Sequence, residues 1–125
     1  MPVGIEALAV YLPRHAIDLG ALAAANGVEP SKYYKGLGGM KMAVVSPDED
    51  PVTMAVSAAE RLIAAYDVDP ADIGLLIVGS ESGVDCAKPI AAYVQGLLRL
   101  PAECRVFDTV HACYSATAAL RLAAD

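Results

Sequence analysis

The sequence contains little charge for its length. Only 19% of its 125 residues are charged, whereas 56% are hydrophobic, and the mean hydropathy is +0.45. A small domain has much surface and little interior, so it should carry more charge than this. We therefore expect the chain to bury a large face. That face packs either against a partner or, in the interpretation that we favour, against the rest of a larger fold.

The sequence also lacks the features of exported and membrane proteins. No run approaches the roughly 18 apolar residues of a membrane span, and no basic segment with an apolar core marks a secretory signal. The three cysteines, Cys86, Cys104 and Cys113, are an odd number and imply no disulfide framework. Because no C-x-x-C pair is present, these cysteines and His111 make a poor zinc set. We expect a cytoplasmic protein without a metal.

Positive charge is scarce and locally concentrated. The net charge of -6 argues against a nucleic-acid partner. Lys32, Lys35 and Lys41 nevertheless cluster in a Gly-rich stretch, which fits a small polyanion such as a nucleotide or a phosphorylated cofactor. The alternative is that these lysines are simply solvated. The nearby string G-L-G-G lacks the G-K-[ST] ending of a phosphate loop and predicts a flexible turn.

Apolar patterns and turn residues predict alternating strands and helices. Residues 3–12 are expected to form a strand that Pro13 closes. Asp18 and the pair Asp50-Pro51 are N-cap signals for helices over 19–25 and 51–66. The other predicted elements are a helix over 30–35, a strand over 40–45, a strand over 73–80, a helix over 88–100, a strand over 104–110 and a helix over 114–124. This order indicates an α/β fold with a largely parallel sheet.

The helix predicted at the end of the chain consists almost wholly of small residues. Small side chains allow close packing between two layers, so this Ala-rich helix is expected to be buried. Asp85 is interpreted as the N-cap of the helix that contains Lys88. Tyr114 and Ser115 are expected to shape the turn before the last helix rather than to react.

Two residues with reactive side chains follow apolar strands. Cys113, in the string V-H-A-C-Y-S-A-T-A-A-L, lies at a strand-to-helix junction, where backbone N–H groups and the positive end of a helix can hold a thiolate. Glu81 ends the apolar run 75–80. A thiol and a carboxylate at neighbouring strand ends favour acyl-transfer carbon chemistry. From the local pattern alone, the alternatives are a buried inert thiol and a carboxylate that caps a helix or forms an ion pair.

Four strings are specific enough to identify a family. They are G-L-G-G-M-K-M-A-V (36–44), D-E-D-P-V-T-M-A (48–55), V-G-S-E-S-G-V-D (78–85) and H-A-C-Y-S-A-T-A-A-L (111–120). In this order and spacing, the chain resembles the N-terminal part of the hydroxymethylglutaryl-CoA synthases, which are thiolase-fold condensing enzymes. The resemblance implies that Cys113 accepts the acyl group and that Glu81 is the general acid/base. It also implies that Glu29, Pro30 and Lys32 lie near coenzyme A, with Lys32 as the phosphate partner.

The resemblance implies a thiolase-like α/β fold of which residues 1–125 are the N-terminal portion. The family's chains are about three times this length, so the second half, which supplies the catalytic histidine, is absent here. His111 cannot replace that histidine, because it belongs to the motif before the cysteine. We therefore expect this chain alone to be inactive. It would need a complementary half, in cis or as another chain, in a homodimer or a higher assembly.

The reaction implied is the condensation of acetyl-CoA with acetoacetyl-CoA through an acetyl-cysteine intermediate, a step of the mevalonate pathway to isoprenoids. Coenzyme A thioesters are substrates, and no separate cofactor is implied. Glu81 needs a raised pKa to take a proton from the acetyl methyl group, and burial at an apolar strand end is expected to supply it. The alternatives are a polyketide β-branching synthase that uses acyl carrier proteins, a ketoacyl-synthase-III-like enzyme, and a non-catalytic fragment or partner subunit.

Overall fold

The computed structural model describes residues 3–125, which form strands and helices in two compact units. The smaller unit is Leu12–Glu49, and the larger unit contains the chain up to Tyr11 together with Asp50–Asp125. No helix within residues 3–125 is long and apolar enough to cross a membrane. The elements are β1 (His15–Asp18), α1 (Leu19–Ala25), α2 (Ser31–Gly36), β2 (Lys41–Val44), α3 (Pro51–Tyr66), β3 (Leu75–Gly79), α4 (Ile90–Leu98), β4 (Arg105–Thr109) and α5 (Ser115–Ala124).

The smaller unit contains an antiparallel ribbon and two short helices. β1 pairs with β2 from His15 opposite Val44 to Asp18 opposite Lys41. The Asp18 carboxylate caps α1 by accepting the Ala21 N–H at 3.0 Å, so the predicted helix over 19–25 is confirmed. α2 and β2 confirm the predicted helix over 30–35 and strand over 40–45. β1 was not predicted, because His15–Asp18 is short, lacks an apolar face and is exposed along its whole length.

The larger unit is built on a parallel pair of strands. β3 pairs with β4 from Leu75 opposite Arg105 to Gly79 opposite Thr109, which confirms the predicted parallel arrangement. α4 packs against both strands of this pair and against α3, and the buried core lies where these elements meet. α3 has the predicted bounds. The core consists of Val52, Ile90 and Val94, with Ala55, Val56, Leu76, Val78, Tyr93 and Leu98 packed around them.

The strand predicted over residues 3–12 is wrong within the described part of the chain. This segment has no regular secondary structure, and the first strand begins only after Pro13. Its carbonyl groups bond to side chains of α3: Arg61 donates to the Val10 C=O at 3.0 Å, and Tyr66 donates to the Leu8 C=O at 3.3 Å. A strand requires a neighbouring backbone to pair with. Within the part of the chain that the structure describes, residues 3–12 form no strand ladder, so their apolar alternation does not produce a β-strand.

The prediction that the Ala-rich helix is buried is also wrong for this chain. α5 packs against β3 and β4, but Ser115 is its only buried residue among those described. The apolar side chains of Leu120 and Leu122 are 59% and 48% exposed. The sheet covers only one face of the helix, so the small residues on its other side face solvent.

Candidate active site

The two predicted catalytic residues follow strands that end at the same edge of the sheet. β3 ends at Gly79 and β4 ends at Thr109, and these two residues are partners in the parallel ladder. The Ser80 N–H donates to the Thr109 C=O at 3.1 Å, which extends the pairing by one step. Since parallel strands end on one side of a sheet, the segments that carry Glu81 and Cys113 both begin at this edge.

Cys113 lies in a tight turn immediately before α5. The turn is a 3₁₀ helix over Ala112–Tyr114, closed by the Tyr114 N–H, which donates to the His111 C=O at 2.9 Å. Ala112 has a φ of 40°, a left-handed conformation that is unfavourable for a residue with a Cβ. The Cys113 thiol is exposed. An accessible thiol next to a helix N-terminus is a typical setting for a reactive cysteine.

Ser115 holds this turn in place. Its side chain is only 2% exposed. The hydroxyl accepts the His111 N–H at 2.8 Å and donates to the Ala112 C=O at 2.9 Å. From the strand side, the Thr109 hydroxyl donates to the Ser115 C=O at 2.9 Å. These bonds fix the backbone on both sides of Cys113, in agreement with the turn-shaping role predicted for Ser115.

Gly79 allows the start of α5 to approach the sheet. A Cβ built on this glycine would lie 2.8 Å from backbone atoms of Ser115 and Ala116. Real Cβ atoms do not approach backbone so closely, and helix backbone cannot swing aside as a flexible side chain can. The position of the Cys113 turn over the strand end therefore requires a glycine at the end of β3.

Glu81 lies in an exposed loop that follows β3. The Ser82 N–H donates to the Ser80 hydroxyl at 3.1 Å, and that hydroxyl donates to the Ser82 C=O at 3.3 Å. This small turn presents the Glu81 side chain to solvent. The prediction that Glu81 is buried at the strand end is wrong for this chain, because the apolar strand stops at Gly79 and residues 81–88 are all exposed.

Asp85 ties the rest of this loop to α4. Its carboxylate accepts the N–H groups of Ala87 at 2.8 Å and Lys88 at 3.3 Å, and the Tyr93 hydroxyl at 3.1 Å. The Ala87 and Lys88 N–H groups and the Tyr93 hydroxyl hold the pKa of Asp85 below its usual value. The same bond to Asp85 raises the pKa of Tyr93. The Lys88 ammonium lies 4.1 Å above the Tyr93 ring, a cation–π contact.

Asp108, rather than Asp85, caps α4. The sequence predicted Asp85 as the cap, but the helix begins later, at Ile90, and Pro89 makes no side-chain cap bond. The carboxylate of Asp108, the fourth of the five residues of β4, accepts the Ile90 N–H at 2.6 Å and the Ala91 N–H at 2.9 Å. Asp108 follows Ile90 by 18 positions along the chain, so a search for caps beside the helix misses it. The sequence does contain one indication of this role, a carboxylate within an apolar strand. A buried carboxylate requires hydrogen-bond donors, and the start of a helix supplies them.

The residues predicted to contact coenzyme A lie in the smaller unit, around the start of α2. Glu29 and Lys32 are exposed, and Pro30 directly precedes the helix. The Lys32 N–H donates to the Glu29 C=O at 3.1 Å. Lys35 on α2 and Lys41 on β2 are exposed as well. Ammonium groups of this kind are suitable partners for phosphate oxygens.

Comparisons with known proteins decide the family. A model of the hydroxymethylglutaryl-coenzyme A synthase N-terminal region matches residues 1–125. The chain belongs to the hydroxymethylglutaryl-CoA synthase family. It is 38% identical over 123 residues to the Enterococcus faecalis hydroxymethylglutaryl-CoA synthase, covering 98% of this chain and 32% of that relative.

Two solved structures show the same architecture. MvaS in complex with 3-hydroxy-3-methylglutaryl coenzyme A has a TM-score of 0.90 and 55% identity, over 97% of this chain and 29% of that one. The curacin-pathway HMG synthase in complex with holo donor-ACP has a TM-score of 0.85 and 41% identity, over 97% of this chain and 30% of that one. The fold is therefore thiolase-like, as predicted, and the chain spans about a third of these synthases.

An open cleft on this chain lies away from the predicted catalytic residues. It has a volume of about 830 Å³ and is lined by residues that include Tyr66, Asp69 and Ile73. Ile73 precedes β3, so the cleft lies near the amino end of the strand, whereas Glu81 follows the carboxyl end. Within residues 3–125, no three His, Cys, Asp or Glu side chains are arranged to hold a metal ion.

Proposed function

We propose that this chain is the N-terminal part of a synthase that condenses acetyl-CoA with acetoacetyl-CoA to form hydroxymethylglutaryl-CoA. One observation carries the proposal: in a chain of this family, an exposed thiol and an exposed carboxylate follow two paired parallel strands at one edge of the sheet. These residues are Cys113 and Glu81. The 55% identity to MvaS, whose structure contains a hydroxymethylglutaryl thioester of coenzyme A, supports this substrate class.

In the first step, Cys113 takes the acetyl group. Its thiolate attacks the thioester carbonyl of acetyl-CoA, and the tetrahedral intermediate collapses to acetyl-Cys113 and the thiolate of free coenzyme A. The helix N-terminus next to the thiol favours the thiolate, and backbone N–H groups near it are suitable donors to the oxyanion. Lys32, with Glu29 and Pro30, is proposed to contact coenzyme A.

In the second step, Glu81 takes a proton from the methyl group of acetyl-Cys113. The resulting carbanion forms a carbon–carbon bond to the 3-keto carbon of acetoacetyl-CoA, whose carbonyl oxygen becomes a hydroxyl after protonation. Water then attacks the thioester to Cys113, which releases the free carboxylic acid of the product and restores the thiol. Glu81 requires a cover that excludes water, because residues 3–125 leave it exposed.

The remaining groups of the active site are proposed to come from a complementary part of the fold. The chain spans 32% of the Enterococcus faecalis relative, and His111 is not suited to be the acid/base. It belongs to the tight turn before Cys113, where its backbone N–H donates to the Ser115 hydroxyl and its ring packs edge-on against Tyr114, with centroids 5.3 Å apart. We propose that the complement is joined in cis or is another chain, in a cytoplasmic homodimer of the mevalonate pathway.

A second candidate is a synthase that takes its acetyl group from a carrier protein. The 41% identity to the curacin-pathway HMG synthase, which was solved with a donor-ACP, favours this alternative to the coenzyme A donor. Both candidates share the chemistry at Cys113 and Glu81. They differ in the molecule that delivers the acetyl group.

The first test is covalent labelling of Cys113. We would graft this chain in place of the matching third of the Enterococcus faecalis synthase and incubate the hybrid with radiolabelled acetyl-CoA. We expect label on Cys113 and formation of hydroxymethylglutaryl-CoA when acetoacetyl-CoA is added. Cys113→Ala should abolish the label, whereas Cys86→Ala, which removes an exposed thiol from the loop after β3, should leave it unchanged.

The outcomes separate the candidates. A hybrid that unfolds cooperatively but takes up no label from either donor would contradict the proposed function. Faster labelling from acetyl-carrier-protein than from acetyl-CoA would favour the polyketide type. Labelling of the 125-residue chain alone would show that the second half is not needed for the first step.

A further inference from the structure

Two consecutive residues of β4 each bind the start of a helix. Asp108 accepts the first N–H groups of α4, from Ile90 and Ala91, at 2.6 Å and 2.9 Å. Thr109 donates its hydroxyl to the Ser115 C=O at the start of α5, at 2.9 Å. Because successive side chains of a strand point to opposite faces, the two helices are held from opposite sides of the sheet.

Each of these helices directly follows one of the two reactive segments. α4 follows the loop 80–89, which contains Glu81, and α5 follows the turn that contains Cys113. Asp85 further joins that loop to α4 through its bond to Tyr93 at 3.1 Å. A continuous set of hydrogen bonds therefore connects the loop of Glu81, through α4 and β4, to the turn of Cys113.

Within this set of hydrogen bonds, Asp108 is the residue that holds the start of α4. Pro89 offers no side-chain cap, so the Asp108 carboxylate replaces the local cap that other helices use. It is half-buried and accepts two N–H groups at once, which makes the bonds charge-assisted and fixes the direction of the helix start. The first turn of α4 cannot shift along β4 without breaking both bonds.

We propose that Asp108 is a positioning residue that sets the location of Glu81 relative to Cys113. This inference rests on the proposed function. Asp108 itself does not react. It holds α4, and with it the loop 80–89, at a fixed height on the strand that leads to Cys113. Loss of the Asp108 bonds should impair proton removal by Glu81 more than acetyl transfer to Cys113. Proton removal needs both Glu81 and Cys113 in place, whereas acetyl transfer needs only Cys113.

The test is to measure the two steps separately in Asp108→Asn. Asn is almost the same size but replaces one acceptor oxygen with an NH₂ group, which repels the N–H of Ile90 or Ala91. In the hybrid synthase, we expect acetylation of Cys113 by radiolabelled acetyl-CoA to remain near the parental rate. Exchange of deuterium from D₂O into the methyl group of the acetyl-enzyme should fall about 100-fold, the cost of a misplacement of about 1 Å.

A matched variant on the opposite face of β4 should affect the other step, acetylation of Cys113. Thr109→Val has nearly the same shape and removes only the hydroxyl that bonds to Ser115. We expect it to slow acetylation of Cys113, with less effect on methyl exchange per acetylated enzyme. Asp69→Asn is the control for a capping aspartate elsewhere, because Asp69 accepts the Ala71 N–H at 2.9 Å near the amino end of β3. It should change neither step.

Equal losses in both steps for Asp108→Asn, in parallel with a lower unfolding midpoint, would overturn the inference and leave Asp108 as a plain helix cap. Unchanged methyl exchange would overturn it as well. If Asp108→Asn does not fold, Asp108→Glu provides the same comparison, since it keeps the charge and displaces the carboxylate by one methylene. Absence of acetylation in the parental hybrid would instead refute the proposed function, so the two failures are distinguishable.

Discussion

Gly79 is the residue at which packing and the proposed chemistry meet most directly. Its missing side chain leaves room for the backbone of Ser115 and Ala116, which a Cβ would approach to 2.8 Å. We predict that Gly79→Ala destabilises the fold by about 1–3 kcal/mol, the usual cost of overpacking. Urea unfolding followed by circular dichroism measures this change. The added methyl group should also push the start of α5 away from the strand, and this displacement should slow labelling of Cys113 in the hybrid.

Gly74 provides a control for this substitution. It lies just before β3, and a Cβ at this position would meet nothing within 4 Å. Gly74→Ala should therefore leave the free energy of unfolding nearly unchanged. Equal effects at both glycines would show that the approach of α5 to the strand end is not what requires Gly79.

At the scale of elements, α3 has the clearest local cap. The Asp50 carboxylate accepts the Thr53 N–H at 2.7 Å, and the Thr53 hydroxyl accepts the Asp50 N–H at 2.8 Å. This reciprocal pair is a capping box. The Thr53 N–H also lowers the pKa of Asp50 below its usual value of 3.8.

We predict that Asp50→Ala destabilises the chain by about 1 kcal/mol at neutral pH, the typical cost of a lost N-cap. Because the folded-state pKa is lowered, ionised Asp50 stabilises the fold above its ordinary, unfolded-state pKa, and this contribution is lost as the pH falls through the folded-state value. Unfolding at pH 7 and at about pH 3 should show a difference that shrinks in acid.

The control for the cap is Asp48→Ala, which removes an exposed carboxylate two residues before Asp50. It should change stability little at either pH. An effect of Asp50→Ala that stays constant between the two pH values would contradict the assignment of the cap to the ionised carboxylate.

The location of a cap along the chain explains which elements the sequence predicts. α1 and α3 were predicted with their observed bounds, because Asp18 and Asp50 lie directly before them. α4 starts two residues later than predicted, because its cap, Asp108, comes from a strand that follows it. The segment 3–12 has the pattern of a strand, but pairing depends on a neighbour that a local pattern does not reveal.

At the scale of the whole molecule, the sequence predicted that Glu81 and Cys113 follow neighbouring strands. It did not predict the contacts that hold their segments in place. The apolar runs before Glu81 and Cys113 indicated two parallel strands, and the common edge follows from that topology. The supports are pairwise contacts across the fold: Gly79 against α5 and Asp108 against α4. Neither is visible as a motif, because each depends on a register that forms only in the folded chain.

The low charge of the sequence has a visible counterpart on the larger unit. Val3, Ile5 and Leu120 line a shallow apolar hollow of about 250 Å³ between the first residues of the chain and the end of α5. Exposed apolar surface of this kind drives association. We predict that the 125-residue chain alone binds the dye ANS and self-associates as its concentration rises, as measured by light scattering.

Leu120→Glu should reduce both effects, because it places a charge within the hollow. The matched control is Leu97→Glu on α4, since Leu97 is 58% exposed and Leu120 is 59% exposed, but only Leu120 borders the hollow. If both variants lower association equally, general surface charge is responsible. A parental chain that remains monomeric and binds no dye would show that the apolar surface near α5 is too small to need a cover, which would also weaken the argument for a complementary half.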